Sequence, residues 1–179
     1  MKSTSLKNAK LIGEFYLNGK ESVKKNLNFR RCKTLSNTDW KKEYARVYFI
    51  LVDDEVRKIG GSNAKGGICG TISPYCAGNC GRPSDRTFGV NYLIEEALRN
   101  GSKVELYAQW LPPQKVTVPT INKKVKINVD FSYKTMEERC IIDYKKKQKQ
   151  VPAWNFQEDH REWPKHIREA RQILLGGKL

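Results

Sequence analysis

The sequence predicts an α+β domain in which a small antiparallel sheet is flanked by helices. Three patterns support this class. Residues 46–60 have the pattern of a β-hairpin, residues 103–110 alternate between polar and apolar side chains, and apolar residues recur at helical spacing over 90–99 and 132–149. Because 179 residues suit one compact domain better than two, we expect these elements to share one core.

The hairpin is the clearest of the local patterns. Residues 46–52 are β-branched and aromatic, two aspartates at 53–54 are turn formers, and residues 55–60 return with alternation. The next stretch, residues 61–89, contains seven glycines, two prolines and three cysteines. It predicts a loop-rich segment with at most a short helix before Tyr75.

The second half of the chain alternates helices and strands. The helix over 90–99 is expected to stop at Asn100-Gly101, and the strand over 103–110 at Pro112-Pro113. Residues 124–129 alternate again and predict a further strand or a hairpin arm. Its polar face carries Lys124 and Lys126.

Two helices are predicted near the C-terminal end. Ser132 opens the first, which ends before Pro152. One face of this helix is formed by Met136, Cys140, Ile141 and Tyr144, and its last turn is crowded by Lys145, Lys146, Lys147 and Lys149. The second has Pro164 near its first turn and runs through Ile167, Ala170 and Leu174 to Gly176-Gly177.

The charge distribution suggests a polyanionic partner. The formal net charge is +15. Residues 47–110 carry seven basic and seven acidic side chains, whereas residues 1–46 carry 12 basic against 4 acidic and residues 111–179 carry 15 against 8. We therefore expect a single domain, 1–179, in which a core (46–155) lies between a basic N-terminal extension (1–45) and a C-terminal helical extension (156–179), with nucleic acid as the first partner to test. Solvated basic termini are the ordinary alternative.

Membrane and secretory classes are not favoured. The longest apolar run, residues 47–52, is far shorter than the roughly 20 residues of a membrane span. The first thirty residues lack an apolar signal core, and five cysteines at irregular spacing fit reduced thiols, so we expect a cytoplasmic protein. Cys69, Cys76 and Cys80 do not follow a standard zinc spacing, and whether they bind zinc stays open.

Specific residues in the hairpin suggest a family. Residues 46–48 (Arg-Val-Tyr) lie in its first strand and residues 58–60 (Lys-Ile-Gly) in its second. The pair resembles the two signatures of the GIY-YIG nuclease superfamily. It is closer to the branch of short type II restriction endonucleases, in which lysine replaces the second signature tyrosine.

Further residues match that branch in the same order. Tyr75 resembles the family's helix tyrosine, Asn91-Tyr92 opens the next helix as in the restriction branch, and Glu137 stands where the family places its metal-binding glutamate. An aromatic, a proline and an asparagine then follow at matching distances, here Tyr144, Pro152 and Asn155. The resemblance covers roughly residues 46–110 and 131–155.

The resemblance implies hydrolysis of DNA phosphodiester bonds by an activated water. Tyr48 would act as general base or orient the water, and Lys58 would supply positive charge or take the proton. An isolated tyrosine has a pKa near 10, so a neighbouring cation is required to make its phenolate accessible. Glu137 would hold one divalent cation, magnesium, with manganese able to substitute. Tyr75 and Asn155 would contact the phosphate or buttress the site.

One family feature is missing from the sequence. The family places a phosphate-binding arginine one helical turn before Tyr75, and this chain has Thr71 there. Three basic residues could replace it, and spacing does not choose among Lys65, Arg82 and Arg86. Lys134, close to Glu137, is a fourth candidate for binding DNA. A catalytically impaired member of the family therefore stays open.

The site also requires a particular hairpin geometry. With a regular two-residue turn at 53–54, Tyr48 and Lys58 lie on opposite faces of the sheet. They share a face, directly opposite each other, only with an odd-numbered connection. We therefore predict such a connection or a β-bulge.

These expectations combine into one function. The sequence predicts a magnesium-dependent, sequence-specific double-strand DNA endonuclease of the type II restriction kind. Cutting both strands of a palindrome requires two active sites, so we expect a homodimer or higher homo-oligomer. The alternatives are a structure-selective DNA repair nuclease and a non-catalytic nucleic-acid-binding protein on the same scaffold.

Overall fold

The computed structural model describes residues 1–19 and 26–176. In these residues the elements follow in the order β1 (Lys10–Leu17), β2 (Leu27–Arg31), α1 (Asn37–Lys41), β3 (Ala45–Val52), β4 (Glu55–Ser62), α2 (Gly67–Cys76), α3 (Asp85–Arg99), β5 (Val104–Leu111), β6 (Gln114–Pro119), β7 (Lys124–Val129), α4 (Tyr133–Gln148) and α5 (Lys165–Leu174). Short 3₁₀ turns occupy Ser3–Ser5 and Gln157–Asp159. The predicted α+β class is confirmed.

Five strands form one antiparallel sheet in the order β2-β1-β5-β3-β4, while β6 and β7 pair separately. β3 occupies an interior position, and all but the first of its eight residues are buried. β4 lies at an edge of the sheet. Lys58 lies on this edge strand, and Asn155 forms hydrogen bonds to it.

Helices cover both faces of the sheet. The face that carries Tyr48, Ile50 and Leu106 packs against α2 and α3. The opposite face, with Phe49 and Ile59, packs against α4. α5 then packs on α3 through a third apolar cluster, formed by Phe88, Leu93, Phe156 and Ile167. Burial of both faces explains why β3 is a continuous hydrophobic run rather than an alternating one.

Most predicted elements are present with shifted ends. Ser132 caps α4 by accepting a hydrogen bond from the Thr135 amide, and the strand over 124–129 is one arm of a hairpin with β6. α3 begins at Asp85, five residues earlier than predicted, because the Ser84 side chain caps it. Pro164 is the N-cap residue of α5. The predicted end of α5 at 176–177 lies partly outside the described residues.

The prediction of a loop-rich segment over 61–89 is wrong for α2. This helix runs for ten residues and contains Tyr75. Two of the glycines form the start of the helix. Gly66 and Gly67 adopt positive φ angles of 81° and 64°, which glycine tolerates better than other residues. After them, buried Ile68 and Ile72 precede Tyr75 at helical spacing and fix the helix on the sheet.

No strand was predicted before residue 46, yet β1 and β2 belong to the main sheet. β1 pairs with both β2 and β5, and its residues Ile12 and Phe15 are buried in the core. Part of the predicted N-terminal extension therefore contributes to the core. No helix in the described part of the chain is long and apolar enough to span a membrane.

Candidate active site

A β-bulge in the β3–β4 hairpin sets the geometry of the site. The connection is a two-residue turn, with Asp53 and Asp54 both at positive φ. The register then shifts, so that Ile50 faces Lys58 and Tyr48 faces Gly60. The predicted bulge is therefore present and places Tyr48 and Lys58 on the same face. They are diagonal neighbours on that face, however, and not directly opposite as expected.

Tyr48 contacts Tyr75 on α2. Both side chains are buried, their rings meet edge to face with centroids 6.2 Å apart, and their hydroxyl groups form a hydrogen bond. Gly60 makes room for this pair, because a Cβ there would lie 2.3 Å from the Tyr48 hydroxyl oxygen. Burial, followed by the influence of Tyr75, raises the pKa of Tyr48 well above its ordinary value. Tyr48 therefore stays protonated at neutral pH.

Lys58 is the buried cation beside this pair. Its side chain is almost fully buried, at 1 % exposure. Burial, followed by repulsion from Arg86, lowers its pKa to about 8. A group whose pKa lies near the working pH exchanges protons readily in either direction. Lys58 is thus better suited than Tyr48 to accept a proton.

An ion-pair network borders the site on its open side. Arg86, in the first turn of α3, lies with its Nη2 atom 3.3 Å from Oε1 of Glu137 and 3.7 Å from Oε1 of Glu158. Both carboxylates are largely buried, at 13 % and 22 % exposure. Lys58 also interacts electrostatically with all three groups. Two cations and two carboxylates therefore balance one another in the free protein.

α4 brings Glu137 to the edge of β4. The apolar face predicted for this helix packs on the sheet, and the Tyr144 hydroxyl donates a hydrogen bond to the Val56 carbonyl, 3.3 Å away. Close packing also requires Gly61, because a Cβ there would lie 2.7 Å from Glu137 Oε2. Burial raises the pKa of Glu137, and the charges of Arg86 and Lys58 oppose this shift.

Asn155 holds the outer edge of β4. Its side-chain amide donates to the Ile59 carbonyl at 2.8 Å, and its side-chain oxygen accepts from the Ile59 amide at 2.9 Å. The Trp154 amide also donates to the Arg57 carbonyl. These bonds occupy an edge that would otherwise expose unpaired backbone groups. Of the two roles the resemblance implied for Asn155, these contacts favour buttressing.

Replacing Asn155 with alanine is expected to lower the free energy of unfolding by about 2–4 kcal/mol, because the buried amide and carbonyl of Ile59 both lose a partner. Denaturant titration measures this change. Asn128→Ala, at an exposed position of β7, is the matched control and is expected to cost less than about 0.5 kcal/mol. Equal effects of the two substitutions contradict the buttressing role.

Of the four basic candidates, Arg86 joins the site. In the described part of the chain, the ion pairs of Glu137 and Glu158 go to Arg86 and not to Lys65 or Arg82, which are both exposed. Lys134 lines the cleft beside Glu137. Thr71, at the position where the resemblance predicts an arginine, donates a hydrogen bond to the Ser62 hydroxyl.

Glu158 is a site residue that sequence reasoning missed. It lies in a 3₁₀ turn three residues after Asn155. Its closeness in sequence to Asn155 could have suggested that it belongs to the site. Nothing in the sequence linked it to Arg86, however, which lies 72 residues earlier. Only the packing of that turn against α3 brings the two side chains together.

The network opens on a cleft of about 550 Å³. Its lining includes Gly61, Arg86, Tyr133, Lys134, Glu137 and Glu158. The described residues contain no cluster of three or more His, Cys, Asp or Glu side chains suited to a metal ion. Carboxylates that line a cleft nevertheless fit magnesium, which keeps several waters and uses one or two carboxylates together with substrate phosphate oxygens as ligands. Among the carboxylates of the cleft, Glu137 is the one that the sequence predicts to hold it.

Comparison with known proteins yields structural likeness only. No protein-family model matches the chain, and no curated protein matches it significantly. Among solved structures, the restriction endonuclease HPY188I in complex with product DNA aligns with a TM-score of 0.48 and 21% identity, covering 85% of this chain and 84% of that chain. A mutant of bacteriophage T4 EndoII aligns with a TM-score of 0.51 and 19% identity, covering 85% of this chain and 95% of that chain. The chain therefore has a fold similar to that of bacteriophage T4 EndoII.

Proposed function

We propose that the protein is a divalent-metal-dependent DNA endonuclease that cuts both strands at a specific sequence. One observation carries the proposal. Five side chains from two strands and three helices lie together beside a cleft at the edge of the sheet. They are Tyr48 on β3, Lys58 on β4, Tyr75 on α2, Arg86 on α3 and Glu137 on α4. The basic charge of the chain supports a polyanionic substrate.

Each residue has a part in the proposed reaction. Tyr48, kept neutral by burial, orients the attacking water and is held by Tyr75. Lys58, with its lowered pKa, accepts the proton of that water. Arg86 binds the scissile phosphate and neutralises the charge that develops on it. When bound, magnesium held by Glu137 would polarise the same phosphate.

Arg86 replaces the arginine that the sequence pattern lacks. Its guanidinium cannot lose its proton in a protein, so it presents a permanent charge to the phosphate. This assignment removes the main sequence argument for a non-catalytic binder. In the free protein the guanidinium forms ion pairs with Glu137 and Glu158. We propose that a DNA phosphate replaces one of these carboxylates.

Arg86→Gln is expected to slow cleavage about 100-fold or more, because the charge that stabilises the transition state is lost. The affinity for duplex DNA is expected to fall only by the contribution of about one phosphate contact. Single-turnover cleavage and equilibrium binding measure the two effects. Arg99→Gln, at the far end of the same helix and paired with Glu95, is expected to leave both unchanged. An unaltered cleavage rate in Arg86→Gln contradicts the assignment.

The substrate class is tested by incubating plasmid DNA with the protein and magnesium. Discrete fragments with mapped ends support a restriction-type enzyme. Cleavage restricted to branched DNA supports the repair alternative, and retained binding without cleavage supports a non-catalytic protein. Cutting both strands of a palindrome requires two sites, so we propose a homodimer, which sedimentation of the complex tests.

A further inference from the structure

The β6–β7 hairpin, residues 114–129 and here called the ribbon, forms a two-stranded sheet separate from the main one. Ten of the twelve residues in its strands are exposed, and the other two are half-buried. An isolated two-stranded hairpin is marginally stable in water. A ribbon of this kind is expected to gain order from a partner.

The pairing register gives the ribbon two chemically different faces. Lys115 pairs with Asn128 and Thr117 with Lys126, which places these side chains on one face, together with Lys124. We call this the lysine face. The opposite face carries Val116, Val118, Val125, Ile127 and Val129.

The lysine face matches a polyanion. The ribbon contains four lysines, including Lys123 in its turn, and no acidic residue. Lysine, threonine and asparagine side chains make contacts to phosphates and to base edges in DNA complexes. The major groove, about 12 Å wide, admits a two-stranded ribbon.

The position of the ribbon relative to the cleft supports the same partner. β7 ends at Val129, and α4 begins four residues later at Tyr133, which lines the cleft. Glu137 lies one helical turn further on. A six-residue strand spans about 20 Å, so the ribbon is an arm of that length rooted beside the active site.

We propose that the lysine face of the ribbon is a DNA-binding surface that holds the duplex beside the cleft. This inference rests on the proposed function, because the duplex that the ribbon holds is the one cut at Glu137. It goes beyond that function by assigning a binding surface outside the resemblance to nucleases, which skips residues 111–130.

The test compares two triple variants of the full chain. One combines Lys115→Gln, Lys124→Gln and Lys126→Gln, and the control combines Lys7→Gln, Lys33→Gln and Lys41→Gln, which removes the same charge from exposed sites elsewhere. Binding to a short labelled duplex is measured without divalent cations over a range of salt concentrations. The slope of log K against log salt is expected to shrink by about two to three in the ribbon variant and by less than one in the control.

Equal slopes in the two triple variants overturn the proposal. Cleavage by the unaltered chain, tested separately with magnesium, decides the proposed function, so a protein that cuts DNA but shows equal slopes loses only the ribbon assignment. The apolar face is tested with Val116→Thr combined with Ile127→Thr. A change in mass by sedimentation for this variant, together with unaltered DNA binding by the lysine variant, assigns the ribbon to a contact between copies and overturns the proposal.

Discussion

Glu137→Gln is expected to reduce DNA cleavage in magnesium at least about 1,000-fold, while duplex binding is retained. The substitution keeps the size of the side chain and removes one of the carboxylates that line the cleft. A cation that polarises the phosphate contributes several kcal/mol to transition-state stabilisation, and each 1.4 kcal/mol or so corresponds to a tenfold rate. Single-turnover cleavage of a mapped substrate measures the loss.

Binding without divalent cations separates this role from a structural one. The negative charge of Glu137 opposes DNA phosphate, so the glutamine variant is expected to bind the duplex at least as tightly as the unaltered protein. Arg86 keeps Glu158 as a partner, and the fold is therefore expected to persist. Thermal unfolding checks that it does.

Asp143→Asn is the matched control for Glu137→Gln. It converts a carboxylate to an amide on the same helix, but Asp143 lies on another face, away from the cleft. Its cleavage rate is expected to be unchanged. Full activity in Glu137→Gln, or equal losses in the two variants, contradicts the assignment of Glu137.

Lys58→Met is expected to slow cleavage about 100- to 10,000-fold and, at neutral pH, to stabilise the fold. Methionine fills a similar buried volume without a charge and removes the amine that we propose as the proton acceptor. General base catalysis contributes roughly 100- to 10,000-fold, which sets the expected loss of rate. Lys7→Met, at an exposed position outside the cleft, is expected to leave cleavage unchanged.

The gain in stability follows from the lowered pKa. The pKa of Lys58 is near 10.5 in an unfolded chain, and burial lowers this pKa to about 8 in the folded protein. Below pH 8 the folded protein holds a buried charge, which costs about 3 kcal/mol at about 1.4 kcal/mol per pKa unit. The unfolded state binds more protons between pH 8 and 10.5, so the stability of the unaltered protein rises relative to the methionine variant across that window.

Denaturant titrations at several pH values measure this difference. The methionine variant is expected to be more stable by the full amount below pH 8, and the advantage is expected to vanish above pH 10.5. A constant difference across the range contradicts the lowered pKa. Cleavage by the unaltered protein is expected to rise tenfold per pH unit up to about pH 8 and then level off, since the neutral amine of Lys58 is the proposed proton acceptor.

Short-range patterns predicted much of this protein. The alternation around Asp53-Asp54 predicted the hairpin, and helical spacing predicted α4 together with the face that packs on the sheet. The roles that the resemblance implies for Tyr48 and Lys58 predicted an odd-numbered connection or a bulge, and a bulge is present. These features depend on residues close together in the chain, where turn formation and side-chain periodicity act directly.

Long-range contacts decided what the patterns missed. β1 and β2 were not predicted, although β1 pairs with β5, about 90 residues further along the chain. Asn155 was expected to contact the phosphate or buttress the site, and its bonds to Ile59 emerge only when the chain after α4 packs on the edge of β4. Neither contact has a local signature, because nearby residues do not specify which distant backbone will pair with them.

The opening class, an antiparallel sheet flanked by helices, and the hairpin that carries Tyr48 and Lys58 were predicted from the sequence alone, since a hairpin is a local structure. The ion pairs of Arg86 with Glu137 and Glu158 depend on the tertiary structure alone. Arg86 on α3, Glu137 on α4 and Glu158 after Asn155 are far apart in the sequence. The packing of helices at the sheet edge brings these side chains within ion-pair distance.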